Sequence, residues 1–389
     1  MIPIAMPVLE AEEADAARKA VLSGWVSQGP QVAAFEREFA ALVGSPHACA
    51  VSNCTTALHL ALLAAEVGPG DEVITASHSF IATANCIRYC GAVPVFVDID
   101  PLTYNLAPAR VAEAITPRTR AILAVHQMGM PCDLNALVPL AAKHGLILIE
   151  DAACAAGSQI RISGKWGSIG KPHGQIACFS FHPRKVITTG EGGMLTTSNP
   201  EFDRKFKLLR QHGMSVPDTV RHGSLQVIFE DYVVVGFNYR MTDVQAAVGR
   251  KQLERLPEII MRRRKVAAQY AELLGDIEEL GLPVEPDWAR SNWQSYCVRL
   301  PKRADQKAVM QKLLDQGIAT RRGIMCSHRE APYSGHKQRH DLRQSELAQD
   351  HSILLPIYAQ MTGDELAHVA NALRAELVDR APRSLAKTN

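Results

Sequence analysis

From about residue 31 to residue 200 the chain alternates short apolar runs with amphipathic stretches, and this alternation restricts the fold more than any other feature. The apolar runs at 48–52, 72–76, 93–97, 121–125 and 146–149 are bounded by Gly, Pro or Asp and carry little polar alternation of their own. Strands covered on both faces read this way. Between them, 32–43, 55–66, 81–90 and 134–144 place apolar residues at the three- and four-residue spacing of helices. The pattern predicts an α/β fold with a mostly parallel central sheet flanked by helices. Further strands are expected at 176–181 and 193–197, then a long helical zone at 242–274 and a Gly/Pro link at 281–286. Beyond the link, a strand at 295–300 and helices at 305–316 and 363–377 predict a smaller C-terminal α+β domain. The expected division is a large α/β domain over 1–250, with an N-terminal arm of about 1–30, followed by a connecting helix and small domain over 251–389.

Lys plus Arg (42) nearly balances Asp plus Glu (40), a net charge of +2. That is too little for the broad positive field that nucleic acid requires. The one dense basic run, Arg262 to Lys265, reads as a solvated or subunit-facing helix surface. No stretch approaches the roughly 18 apolar residues of a membrane span. The first basic residue is Arg18, with no charged leader before an apolar core, so a cytoplasmic protein is expected. Nine scattered cysteines, several within apolar runs, suit reduced, buried thiols. Neither a dinucleotide fingerprint nor a P-loop occurs, and Cys86 and Cys90 lack the second ligand pair of a metal site.

The chemistry concentrates in two segments. Glu150 and Asp151 end an apolar strand, where open α/β sheets present ligand-binding groups. In 178–193, strand geometry turns Phe179 and Phe181 to one side and Ser180 and His182 to the other. Pro183 ends the strand and Lys185 stands on the turn beyond. A lysine there suggests Schiff-base chemistry, because desolvation lowers an amine's pKa and makes it nucleophilic. Taken alone, a solvated surface lysine is the more ordinary explanation.

The run FSFHPRKVITTGEGG at 179–193 resembles the cofactor-lysine signature of the DegT/DnrJ/EryC1/StrS family of pyridoxal-phosphate-dependent sugar aminotransferases. The resemblance extends over almost the whole chain, through Phe35-Glu36, the run 52–59, the run 79–85, Glu150-Asp151, the run 236–243 and the run 354–358. It implies a fold type I transferase, aspartate aminotransferase-like, binding pyridoxal phosphate and working as a homodimer with shared active sites. By this likeness Lys185 anchors the cofactor covalently and carries the proton between reacting carbons. Asp151 pairs with the ring nitrogen. The turn at Cys54 and Thr55 cradles the phosphate at a helix N-terminus, and Ser180 adds a hydroxyl. Phe80 stacks on the ring, with core packing as its plainer explanation. Asn238 reaches the neighbouring subunit's phosphate, although turn chemistry beside Gly236 explains it too.

His182 is a candidate catalytic group or a structural histidine, while Arg240 and Arg321 are candidate substrate-binding residues. Arg321 and its neighbour Arg322 are also ordinary surface arginines by default. One departure stands out: Cys154 occupies the position where the family usually has Gln, His or Glu to contact the cofactor's phenolic oxygen, and a thiol is a weak donor. Residues 170–174, within a segment 167–174 longer than the family average, are expected to reshape the pocket mouth, and 317–323 with 326–333 to border the substrate. The implied reaction moves an amino group from L-glutamate to a keto sugar, nucleotide-linked, in amino-sugar biosynthesis. A keto-cyclitol acceptor and a non-catalytic sugar- or cofactor-binding regulatory homologue remain open alternatives; Lys185 and Asp151 speak against the second.

Overall fold

The structure, a computed structural model, describes residues 1–216, 220–221, 224–335 and 338–378. In chain order the first strands are β1 (His47–Val51), β2 (Glu72–Ala76), β3 (Val93–Val97), β4 (Thr119–Val125), β5 (Ile147–Asp151), β6 (Gln159–Ile162), β7 (Lys165–Ser168), β8 (Ile176–Ser180) and β9 (Gly193–Thr197). Seven form one sheet in the order β1-β9-β8-β5-β4-β2-β3. Within it β9 runs against both of its neighbours, and the remaining adjacent pairs are parallel. A hairpin of β6 and β7, joined by β10 (Ala289–Arg290), lies apart.

Helices cover both faces, as the continuous apolar strands require. One layer is α2 (Pro30–Val43), α5 (Pro108–Ala114) and α6 (Leu134–Lys143); the other is α3 (Cys54–Ala64), α4 (Ala82–Tyr89) and α7 (Pro200–Leu209). Side-chain alternation sorts the strands between them. Phe179 and Phe181 point into the α2 layer, where both are fully buried. The Phe39 ring centroid lies 4.9 Å from Phe179 and 5.7 Å from Phe181. Truncating one such ring to alanine costs about 3–5 kcal/mol in a core. Cys178 faces the α3 layer, so Ser180, of the same parity, is turned toward the N-terminus of α3.

Helix α8 (Asp243–Leu274) starts from Thr242, whose hydroxyl accepts the Gln245 N–H at 3.2 Å. Ala246, Leu253 and Leu256 pack into the main core, and Val266, Tyr270 and Leu274 into a second one. Residue 250, the expected domain boundary, therefore lies within a continuous helix joining two cores. The second core is completed by β11 (Tyr296–Arg299), α9 (Gln306–Asp315), β13 (Ser352–Leu355) and α11 (Gly363–Val378); β12 (Arg321–Arg322) and α10 (Arg343–His351) complete the chain order. The N-terminal arm is anchored: Ile2 bridges Ile318, and α1 (Ala11–Leu22) ties Glu13 to Arg255 of α8 at 2.7 Å.

The basic run 262–265, expected from the sequence to be a solvated or subunit-facing surface, turns inward at its centre. Arg262 pairs with Glu258 on the outside and Lys265 is exposed, but Arg263 is buried, in register with Ile259 and Val266. It donates to the carbonyls of Trp293 at 2.9 Å and Gln294 at 2.7 Å. Burial pulls its pKa down to about 10. Three- and four-residue spacing carries a charged residue inward as readily as an apolar one when carbonyls await it.

Candidate active site

A cavity of about 590 Å³ opens at the C-terminal ends of β4, β5 and β8. Cys54, Thr55, Phe80, Asp151, Cys154, Ser180, His182, Lys185 and Arg321 all line it. Asn238 and Arg240 do not line it within the single chain; Asn238 is exposed and accepts the Arg240 Nε–H at 3.4 Å. Residues 167–174 are also absent from its wall, contrary to expectation. That segment packs under the sheet, where Gly174 N–H meets Glu150 at 2.8 Å and Thr196 holds the Gly170 carbonyl at 2.7 Å. Of the two C-terminal segments, 317–323 reaches the cavity through Arg321, whereas 326–333 stays behind the wall, with His328 held 2.6 Å from the Ser77 hydroxyl.

The two carboxylates ending β5 have different tasks because successive residues face opposite sides. Glu150 is fully buried and pairs with His126 Nε2 at 3.0 Å. His126 Nδ1 accepts the Cys132 N–H at 2.9 Å, so Nε2 carries the proton and donates to Glu150. Asp151 faces the pocket. Its Oδ2 accepts from the Thr83 hydroxyl at 2.9 Å and its Oδ1 from the Ala153 N–H at 3.2 Å. Thr83 in turn lies 2.8 Å from Ser79, which must be the donor because the Thr83 proton is committed to Asp151.

Burial pushes the Asp151 carboxyl above the usual aspartate value, against the pull of Thr83, the Ala153 N–H and Lys185. A carboxyl raised in the folded state binds protons more readily there than in the unfolded chain. Its contribution to stability is present below the ordinary aspartate pKa and is lost as pH rises through the shifted value. Replacing Thr83 by valine removes a donor to the charged form and raises Asp151 further. The acid limb of cofactor retention, followed by absorbance, is expected to move to higher pH in Thr83→Val; an unmoved limb would show that Thr83 does not tune Asp151.

Asn53 caps α3: its side chain accepts the Thr56 N–H at 2.9 Å while the Thr56 hydroxyl approaches the Asn53 N–H at 3.3 Å. This capping box leaves the N–H groups of Cys54 and Thr55, in the first turn, without an intrahelical partner. The Cys54 thiol is driven well above its ordinary pKa by burial and then by Asp151, so it stays neutral beside an anion. Gly193 is required here for close approach. A Cβ on it would lie 2.5 Å from the Asn53 carbonyl and 2.8 Å from the Cys54 nitrogen. The Ser180 hydroxyl accepts the His182 N–H at 3.4 Å and keeps its own proton to donate.

Lys185 Nζ is 3.1 Å from Cys154 Sγ. The expected depression of its pKa is not found. Burial does pull the amine down, but the Cys154 sulfur and the Asp151 carboxylate offset it, and the amine sits above its ordinary value. Cys154 is itself held from a distant segment: Asn292 Nδ2 donates to the carbonyls of Cys154 at 2.8 Å and Ala156 at 2.9 Å. The Arg263 bonds fix the same loop. His182 Nδ1 accepts the Arg184 N–H at 3.2 Å, which pins the turn carrying Lys185, and burial lowers its pKa, leaving a neutral ring on the pocket wall. Phe80 is 61% exposed, which removes core packing as its explanation and presents the ring to the cavity.

The sequence pattern of the DegT/DnrJ/EryC1/StrS aminotransferase family matches residues 7–374. The chain belongs to this family. Among relatives of this DegT/DnrJ/EryC1/StrS aminotransferase, the GDP-perosamine synthase of Caulobacter vibrioides is 40% identical over 97% of this chain and 98% of its own length. The aminotransferase TlmJ from Streptoalloteichus hindustanus is 34% identical, with a TM-score of 0.88 over 97% of this chain and 99% of its own. A putative sugar aminotransferase from Streptococcus pneumoniae, Spr1654 in its PLP form, is 25% identical, with a TM-score of 0.89 over 97% and 99%. The protein is a fold type I, pyridoxal-phosphate-dependent aminotransferase. Its residues fit that cofactor: a buried carboxylate to face a cationic ring nitrogen, unpaired N–H groups at a helix terminus for a phosphate, and an amine between them.

Sequence reasoning missed Thr83, Asn292, Arg263 and Arg184. Thr83 had a signal, since it follows Ser79 by one helical turn in the 79–85 run. Asn292 had none, because its partner Cys154 lies 138 residues away.

Proposed function

We propose that this enzyme transfers an amino group from L-glutamate to the keto group of a nucleotide-linked sugar, in amino-sugar biosynthesis. The observation that carries the reading is the similarity to a GDP-perosamine synthase across 97% of the chain, with Lys185 and Asp151 meeting in one cavity. Bound pyridoxal phosphate supplies an aldehyde to receive the amino group and a ring that spreads charge from the reacting carbon. Lys185 Nζ anchors it and then takes a proton from the donor's reacting carbon and returns one to the acceptor. Asp151 holds positive charge at the ring nitrogen, and the first turn of α3 with Ser180 holds the phosphate. The His182 ring sets the turn from which Lys185 works. Addition of L-glutamate to the loaded protein is expected to bleach or shift the cofactor band, and a nucleotide-linked keto sugar to restore it. No spectral change with any amino donor would refute the reading, and equal reaction of free cyclitol ketones would refute its substrate.

The enzyme works as a homodimer in this proposal. Leu225, Val227, Phe229 and Val235 are at least 86% exposed along one segment, far more apolar surface than a solitary chain usually presents to water. Asn238 follows on the same stretch and serves the second copy's phosphate. Replacing Val227 and Phe229 by serine is expected to shift the protein to monomer in analytical ultracentrifugation; an unchanged dimer would place the interface elsewhere. The nine cysteines, all free thiols, suit the reducing cytoplasm as its compartment. Among the described residues no helix is long and apolar enough to cross a membrane.

A further inference from the structure

Arg184 sits on the turn immediately before Lys185, and Arg321 on β12, yet both line the cavity that holds the Lys185 amine. Among the described residues neither guanidinium has an ion-pair or hydrogen-bond partner. The contrast with Arg322 is instructive: strand alternation turns it away, and it pairs with Glu330 at 3.4 Å. Glu191, another acid on the pocket wall, acts on the His182 ring and makes no ion pair with either arginine. Both residues keep exposed surface on the wall of the same cavity, and partial burial together with the charge of Arg321 lowers the pKa of Arg184.

The base of Arg184 is nevertheless held in place. Its N–H donates to His182 Nδ1 at 3.2 Å and its carbonyl accepts from Gln294 Nε2 at 2.9 Å. Two guanidinium groups on one pocket wall, neither paired with an acid, present free donors that an anionic oxygen group can accept from.

We propose that Arg184 and Arg321 together bind an anionic oxygen group of the substrate, a carboxylate or a phosphoryl group, beside the reacting centre. The inference rests on the aminotransferase reading above and deepens it. Such a group has two sources: the carboxylates of the amino-acid donor and the diphosphate of a nucleotide-linked acceptor. Arg184 adjoins Lys185 in the chain and Arg321 comes from β12, so an anion held between them would be gripped from two separate elements of the cavity wall.

Isothermal titration of the cofactor-loaded wild type, Arg184→Gln and Arg321→Gln with two probes, 2-oxoglutarate and inorganic pyrophosphate, tests this. Each substitution is expected to weaken at least one probe by about tenfold or more, the loss typical of a charge-assisted contact. Weakened 2-oxoglutarate assigns the site to the donor, and weakened pyrophosphate assigns it to the acceptor. Unchanged binding of both probes in both variants, or no binding of either by the wild type, overturns the proposal. The cofactor band of the same samples separates the two levels of argument. If L-glutamate still bleaches the wild type, the aminotransferase reading stands even where the arginine site fails.

Discussion

Replacement of Lys185 by alanine is expected to abolish covalent attachment of the cofactor and to lower turnover by about 10⁴-fold or more. Proton transfer by one positioned group contributes about 10²–10⁴-fold by itself, and Lys185 also provides the anchor. The fold should survive, because the amine's hydrogen-bond partner is the Cys154 sulfur, and Asp151, although it loses the pull of the Lys185 charge, keeps its bonds from the Thr83 hydroxyl and the Ala153 N–H. Thermal melting of the cofactor-free variant should therefore stay close to wild type while the absorbance of the bound cofactor changes. Turnover within about tenfold of wild type, which is about 1.4 kcal/mol of barrier, would remove Lys185 from the chemistry.

The second large effect is expected at Asp151. Asparagine keeps its shape but removes the charge that faces a protonated ring nitrogen, and turnover should fall on the order of 10³-fold, or about 4 kcal/mol of transition-state stabilisation. The sign of the stability change runs the other way. Burial already disfavours the Asp151 charge and raises its pKa, so a neutral amide relieves a cost that the cofactor-free protein bears at neutral pH. The cofactor-free variant should melt no lower than wild type, yet bind and use the cofactor worse. A variant that kept full turnover would show that the ring nitrogen has another partner.

Much of this fold was legible because its sheet is buried on both faces. Continuous apolar runs such as 93–97 and 121–125 have few other ways to be satisfied, and β3 and β4 form there. The parity of Phe179 and Phe181 against Ser180 and His182 was fixed by strand geometry and held in three dimensions. Short elements escaped because they carry no period of their own: β12 is two residues, and β13 is defined by pairing with β11 and β12. Helix α7 had a start signal in Asn199 and Pro200, with Asn199 accepting the Glu201 N–H at 2.8 Å, that went unread.

The pocket was legible residue by residue but not in its electrostatics. Apolar surroundings alone would depress the Lys185 amine, and the raised value depends on Cys154 and Asp151 arriving from a segment some thirty residues earlier in the chain. The same is true of Arg263, which periodicity placed on a helix but only the carbonyls of Trp293 and Gln294 drew inward. Local pattern reports which face a residue occupies. It does not report which distant group meets it there.

Reduction of the cofactor-loaded protein with borohydride, followed by peptide mapping, tests the central claim most directly. The account predicts a pyridoxyl group on Lys185, within the peptide that continues into Val186 and Ile187. An unmodified Lys185, or the label on a different lysine, would contradict it.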